Sequence, residues 1–247
     1  MTTLAPLALK DARIYYATLD ATGFANKISL DDEYEDLDKT TFGSGGARER
    51  VSGLADMAAG ATIFWQAGDL SYPDDVFWAN LGANTQPLTV CPTAGTVGSV
   101  AYLTKVFQPS WKPGGDIGKL LAADVTWSGN QPLARGAILH PQGTARTATG
   151  NGTGVQVGAI LAAQSLYANL HVFSVGAGAQ SLTVKLQSSV DNTFGSPTDR
   201  VTFTAATGLT AECKSVAGAV TDTWWRVVYT ITGSTPSFLF AVSAGVA

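Results

Sequence analysis

The chain has 247 residues, 45% of them hydrophobic and only 14% charged, with 15 Lys and Arg set against 19 Asp and Glu. That length and apolar share allow one large domain or two ordinary ones, each with its own core. The net charge of −4 argues against ordinary nucleic-acid binding, which needs a cationic face to displace counterions from phosphate.

The amino-terminal arm, residues 1–10, is apolar with one proline. It reads either as a disordered tail or as a segment that orders only on docking to an adjacent subunit. The opening MTTLAPLALKDA has no basic start and no long apolar run, so it does not read as a signal peptide. Residues 12–18 read as a strand. Residues 26–37 and 51–66 read as two long strands joined by a glycine-rich tip, a hairpin spanning 26–66. Six of the eight residues from 31 to 38 are acidic in a chain otherwise sparing with charge. On a strand, residues two apart share a face, so Asp31, Glu33 and Glu35 line one side with Lys27 and Ser29, while Ile28, Leu30 and Tyr34 take the other. The pattern alone fits a solvated face, a cation site or the wall of an aqueous passage.

A helix is expected over 73–81. Ser71 and Pro73 supply start signals, Asp74 and Asp75 suit the positive end of its dipole, and Gly82 ends it. Val76, Phe77 and Leu81 are expected to pack on a sheet. Strands follow at 88–91, 100–108, 117–127 and 133–139, the last two expected as a hairpin across SGNQP. The stretch from 140 to 154 has no large apolar side chain and is rich in Gly and Thr, which marks a linker, placed at 146–154, between a first domain, 1–145, and a second, 155–247. The second domain alternates cleanly: Leu182, Val184 and Leu186 share a face; so do Val201, Phe203 and Ala205; Trp225, Val227, Tyr229 and Ile231; and Phe238, Phe240 and Val242. Such repeated period-two burial predicts an antiparallel β-sandwich, jelly-roll-like. The fold class expected for the whole chain is mainly β, a β-sandwich or partial barrel with one short helix followed by that second sandwich.

Signals for chemistry are weak. The two histidines, His140 and His171, have no Cys, Asp or Glu at short spacing, so both read as structural. Cys91 and Cys213 read as free thiols. No zinc or calcium spacing occurs, and neither a metal nor a cofactor is expected. Paired carboxylates in the acidic run offer only a weak case for a glycan-cleaving enzyme. GSGG, Gly43 to Gly46, lacks the lysine spacing and helix of a phosphate loop and reads as a mobile tip. Trp224 and Trp225 fall on opposite faces of a strand, so at least one is core.

The order ALKDARIYYATLDATGFANKISLDDEYEDLDKTTFGSGGARERVSGLADMAAGATIFW, then PDDVFWANLG and DTWWRVVYTITGSTPSFLFAVSAGV, resembles the major tail tube proteins of long-tailed, siphovirus-type bacteriophages. That resemblance implies a structural virion protein without enzymatic activity. It implies that copies join sheet to sheet into rings, six to a ring for one tube-like domain, stacked as the conduit for genome delivery, with residues 155–247 as an outer domain. The implied partners are the chain itself, tape measure and tail-end proteins, and genomic DNA passing without specific binding; no membrane is involved. The implied location is the virion tail, after assembly in the host cytoplasm. Asp31, Glu33 and Glu35 would then face the lumen and keep DNA from adhering. The hairpin tip, with Lys39, Phe42, Gly43, Gly45, Gly46, Arg48 and Arg50, would reach the next ring. A carbohydrate-binding or adhesion β-sandwich module is the alternative.

Overall fold

The computed structural model describes residues 8–69 and 71–247, so most of the expected amino-terminal arm lies outside the described residues. The first part comprises β1 (Arg13–Tyr16), β2 (Leu19–Asp20), β3 (Ala25–Asp38), β4 (Arg50–Phe64), α1 (Pro73–Ala79), β5 (Gln86–Cys91), β6 (Val100–Gly114), β7 (Ala122–Gly129) and β8 (Ala134–His140). The rest comprises β9 (Gly150–Asn151), β10 (Val155–Gln156), β11 (Ser165–Val175), β12 (Gln180–Ser189), β13 (Thr198–Thr202), β14 (Thr210–Ala217), β15 (Trp224–Gly233) and β16 (Phe238–Val246). The protein is mainly β, built of antiparallel sheets without a closed barrel, as its alternation predicts.

The long strand β6 is the branch point of the larger sheet. One of its edges carries β5, which leads to β1 and β2. The other edge carries two strands end to end. β7 pairs with the 106–114 half and leads to β4 and β3, while β8 pairs with the 100–103 half and leads to β16, β11 and β14. The hairpin expected across SGNQP is therefore corrected. Both β7 and β8 run antiparallel to β6, so they run in the same direction and do not pair with each other. The connection steps along β6, held by the Asn130 N–H donating to Lys105 O and the Thr104 hydroxyl donating to Gln131 O.

The helix is a residue or two shorter than its sequence signals, and Leu81 lies beyond it, exposed rather than packed. What docks the helix is aromatic. Phe77 is fully buried and stacks on Trp111 and Tyr16, with centroids at 4.6 and 5.1 Å. Trp111 Nε1–H donates to Asp74 Oδ1 at 2.8 Å, and the Gln108 side chain caps Phe77 O. Burying Phe77 stabilises the helix by about 2–3 kcal/mol, which matters because a helix this short does not hold itself.

In the second part, β10–β15–β12–β13, with β9 on β15, form a second sheet. Leu182, Val184, Leu186, Trp225, Val227, Phe238, Phe240 and Val242 fill the space between it and the β11–β16 region of the larger sheet. Ala206, not Ala205, joins Val201 and Phe203 in this core. Phe203 bonds Val184 and Ala206 bonds Leu182, so three residues span two, and the alternation slips by one.

The segment 146–154 is hydrogen-bonded at Arg146 and from Thr149 to Gly152. Arg146 bridges to Phe238, and Gly150 and Asn151 pair with Tyr229 and Val228. One sheet thus continues through both portions of the chain, joined by the β8–β16 ladder. A buried polar knot reinforces that join. His171 Nδ1 lies 2.8 Å from Ala17 O and its Nε2 lies 3.0 Å from Thr89 Oγ1, which also meets Ser243 Oγ and Asn169 Nδ2. One assignment satisfies Thr89: its hydroxyl donates to His171 Nε2 and accepts from Ser243 and Asn169.

Candidate assembly interface

β3, β4, β7 and the 106–114 half of β6 make a four-stranded sheet with two unlike faces. One face packs Met57, Ala59, Ala61, Ile63, Val125 and Trp127 into the core under Phe77. The other is solvent-facing, small and polar. Across its strands run Lys27, Thr62, Asp124 and Lys112; then Ser29, Gly60, Thr126 and Ser110; then Asp31, Ala58, Ser128 and Phe107. Side-chain hydrogen bonds tie this face laterally. The Thr62 hydroxyl donates to Asp124 Oδ1 at 2.8 Å, and Ser110 Oγ and Thr126 Oγ1 lie 2.7 Å apart. A Cβ at Gly60 would sit 3.3 Å from Ser29 Oγ, so the glycine keeps the face flat there.

Among the described residues both edges of this unit are open, and β3 pairs with β4 alone. On the far edge of β6, pairing with β5 ends at Val106 and the turn at Gly82 and Ala83 bonds Gln108, so among the described residues the open stretch begins beyond Gln108. Antiparallel alternation gives β3 and β7 one direction, and β4 and β6 the other.

Beyond Asp31 the β3–β4 ladder runs on without the rest of the sheet, and this two-stranded arm is exposed on both sides. From Asp32 to Asp56 only Ser44 and Gly53 are even half-buried. A register shift between Tyr34 and Asp36, with the extra residue on β4, bends the arm at Gly53 and Leu54. The span from Asp31 to Asp56 holds eight of the 19 carboxylates and three of the 15 cationic side chains, a net −5 against −4 for the whole chain. The remainder is therefore +1.

Asp31, Glu33 and Glu35 alternate along one side of β3. Asp31 lies at the margin of the four-stranded face, and Glu33 and Glu35 lie further out on the arm. Glu33 stands directly opposite Asp56. At the tip, Lys39 pairs with Glu49 at 3.6 Å and Arg50 with Asp36, both within the arm; Arg48 forms no ion pair among the described residues. Thr40 holds the Asp38 carboxyl below its usual range, first through its hydroxyl and then through its N–H. Gly45 and Gly46 have φ of 63° and 85°, the left-handed region that favours glycine. Ser44 N–H donates to Thr41 O and Ala47 N–H to Ser44 O, so the tip is a shaped turn. Phe42 projects from it, fully exposed.

Large apolar side chains are displayed on this arm: Tyr34 is 64% exposed and Leu54 81%, with Leu37 and Val51 also outside. The opposite end of the same sheet shows another group. The turn between β6 and β7 presents Ile117 and Leu120, and the Trp65 N–H donates to Leu121 O, which sets the partly exposed Trp65 beside it. The strand expected over 117–127 begins only at Ala122, which frees this turn.

Both histidines are buried with Nδ1 at hydrogen-bond distance from a backbone carbonyl. His171 is pushed down to about 4 by burial, which outweighs its bond to Ala17 O. His140 is likewise at about 4, through burial and then Arg146, whose Nε–H donates to its Nε2. Trp225 is fully buried with its indole N–H on Gly158 O, while Trp224 is half-buried. Cys91 and Cys213 are free thiols, and Cys213 is raised by burial. Among the described residues no cluster of His, Cys, Asp or Glu could hold a metal, and no helix is long and apolar enough to cross a membrane.

No family model and no curated protein matches the chain. Among solved structures it is similar to a chain from the virion of a native gene transfer agent particle, with 13% identity, TM-score 0.43, and 53% of this chain and 100% of that one covered. A chain from the tail of an empty gene transfer agent particle, computed with helical refinement and C6 symmetry, gives 15% identity, TM-score 0.40, and 52% and 98% coverage. The SPP1 Dit (gp 19.1) protein, described as a paradigm of the hub adsorption apparatus in phages infecting Gram-positive hosts, gives 11%, 0.36, and 95% and 99%. At these identities and scores the likenesses assign no function to this chain.

The acidic strand and the glycine tip were visible in the sequence. The open edge of β6 and the apolar group at its turn were not, because both depend on which strands lie alongside.

Proposed function

We propose that this chain is a structural subunit of a long bacteriophage tail, its major tube protein, whose copies close edge to edge into six-membered rings that stack around a genome passage. The observation that carries this reading is the four-stranded unit with a core side, a polar side and two open edges. With an even number of alternating strands, β3 of one copy meets β6 of the next antiparallel under simple rotation, so a ring closes with every edge paired. Six copies would supply roughly 24 strands spaced about 4.8 Å apart, a bore of about 35 Å between backbones and wider than a DNA duplex.

The small polar face would then line the bore, with Asp31, Glu33 and Glu35 repelling phosphate so that DNA slides. Repulsion between single charges is screened within about 10 Å, so the effect comes from the repeated ring of carboxylates. Residues 155–247 would form the outer domain, and tape measure and tail-end proteins would be met inside and at the ends. Electron microscopy and native mass measurement of the purified protein test this. Rings or tubes with six copies per turn are expected, and a monomer at every concentration would end the reading.

A further inference from the structure

We propose that the ring closes in a single register, with Lys112 of one copy opposite Asp31 of the next and an ion pair between them at every joint. This rests on the proposed ring closure and fixes which residues meet there. Within one copy the rows across the four strands are level: Lys27, Thr62, Asp124 and Lys112 lie in line, as do Ser29, Gly60, Thr126 and Ser110. Continued level around the ring, the first row would set Lys112 against Lys27 of the next copy, like charge on like, with the strands upright. Strands of a closed barrel are tilted by about 35–45°, so the joint carries an offset, which also widens the bore by about a fifth. The offset is even, because an odd one would turn the polar side chains of β3 out of the bore. Across four strands, about 19 Å, an offset of two residues tilts them by about 19°, four by about 35° and six by about 46°.

The direction of the offset is fixed as well. The Lys39 N–H donates to Glu49 O, and counting back along β3 in twos, the N–H groups of Asp31 and Ser29 also point to β4. Viewed from the bore with β3 running upward, β4 then lies to the right. Neighbouring strands are rotated by about −20 to −25°, so a closed sheet leans one way, and that lean carries the β6 of the next copy toward the carboxyl end of β3. Four residues along from Lys27 is Asp31. Six would set Pro109 against Asp36, past the register shift at which the arm bends. With four, residues 109–114 face residues 29–34, all before the bend.

The chemistry of the two edges agrees with this register. Lys112 and Asp31 form no ion pair among the described residues. Asp124, beside Lys112 in its own copy, is already bonded to Thr62. The same register brings Lys27 level with Asp116 of the neighbouring turn. On the other face, Tyr34, 64% exposed, comes opposite Pro109, and Leu30 opposite Pro113. A proline fits a ladder only where its missing N–H faces an open edge, so Pro113 faces the joint, where the Leu30 N–H needs only its carbonyl. An edge so short of donors suits β3 and not a second β6.

The test is disulfide trapping. K112C protein is mixed in turn with D31C, K27C and E33C, which report offsets of four, zero and six residues, and oxidised; the wild type, with Cys91 buried and Cys213 half-buried, is the control. Directly opposed residues place their Cβ atoms about 4.5–5.5 Å apart, close enough to link. The D31C mixture is expected to give at least fivefold more cross-linked dimer than either other mixture. A charge exchange reads the ion pair itself. D31K and K112E, which set like charges at every joint, are each expected to lower the share of rings in native mass spectra several-fold, and D31K/K112E to restore it. Rings that link chiefly through K27C or E33C, or through none of the three, overturn the register and leave ring closure standing. A double exchange no better than the single ones overturns the ion pair. A wild type that stays monomeric at every concentration overturns ring closure and the register together.

Discussion

Glu33 and Asp56 face each other across the β3–β4 ladder, two carboxylates in direct cross-strand register with no cation bridging them among the described residues. Like charges so placed weaken a pair of strands by roughly 0.2–1 kcal/mol. The arm is therefore not arranged for its own stability. Asp56→Lys is expected to strengthen it in the isolated chain, slowing amide hydrogen exchange over residues 32–38 several-fold. Unchanged or faster exchange would show that the opposition costs nothing.

Ring closure through β3 makes a backbone prediction. Along a strand, successive N–H groups point to opposite sides, so of Ser29 and Leu30 one donates toward β4 and the other outward. Proline is tolerated on an edge strand only where its missing N–H faces outward. One of S29P and L30P is expected to keep the wild-type melting temperature within a few degrees yet fail to form rings in native mass spectra. If the stable variant assembles normally, β3 is not the closing edge.

The acid row should matter to DNA and not to folding. D31N/E33Q/E35Q is expected to assemble with unchanged stability but retain duplex DNA at low salt, and to release it as salt is raised. Virions carrying the triple variant and delivering genomes at the wild-type rate would remove the row from the lumen.

Acid should loosen the protein through its two histidines. Both lie near 4 in the folded chain, against about 6.5 unfolded. The unfolded state thus binds more protons between these values. Stability is complete above pH 6.5 and declines as pH falls toward 4, by roughly 3 kcal/mol per histidine. His140→Phe, stacking on Phe240 as the imidazole does at 4.2 Å, is expected to remove about half of the slope. Urea midpoints at pH 7, 5.5 and 4 measure this, and a flat series would refute it.

Phe77 is the central anchor of the helix. Phe77→Ala removes a fully buried side chain between Trp111 and Tyr16 and is expected to cost about 3–5 kcal/mol. Calorimetry should show the melting temperature fall accordingly, with little change for the exposed Trp78→Ala.

Local pattern by itself determined most elements of this protein. Alternation at Leu182, Val184 and Leu186 and at Trp225, Val227, Tyr229 and Ile231 fixed which side chains are core, because a strand's period is two whatever lies beside it. The same rule put Asp31, Glu33 and Glu35 on one side of β3, and the Pro73 and Asp74 signals placed the helix start. Tertiary structure alone decided which strands are neighbours. β7 and β8 look like a hairpin in sequence because a short polar turn separates them, but both pair along one edge of β6; its other edge stays open past Gln108 because β5 pairs only as far as Val106. Leu81 and Ile117 are apolar by composition, yet exposed, because the chain has already turned away from the core where they occur. Pairing partners come from the energy of the whole sheet, which no local window contains, and the candidate assembly surfaces are what that pairing leaves uncovered.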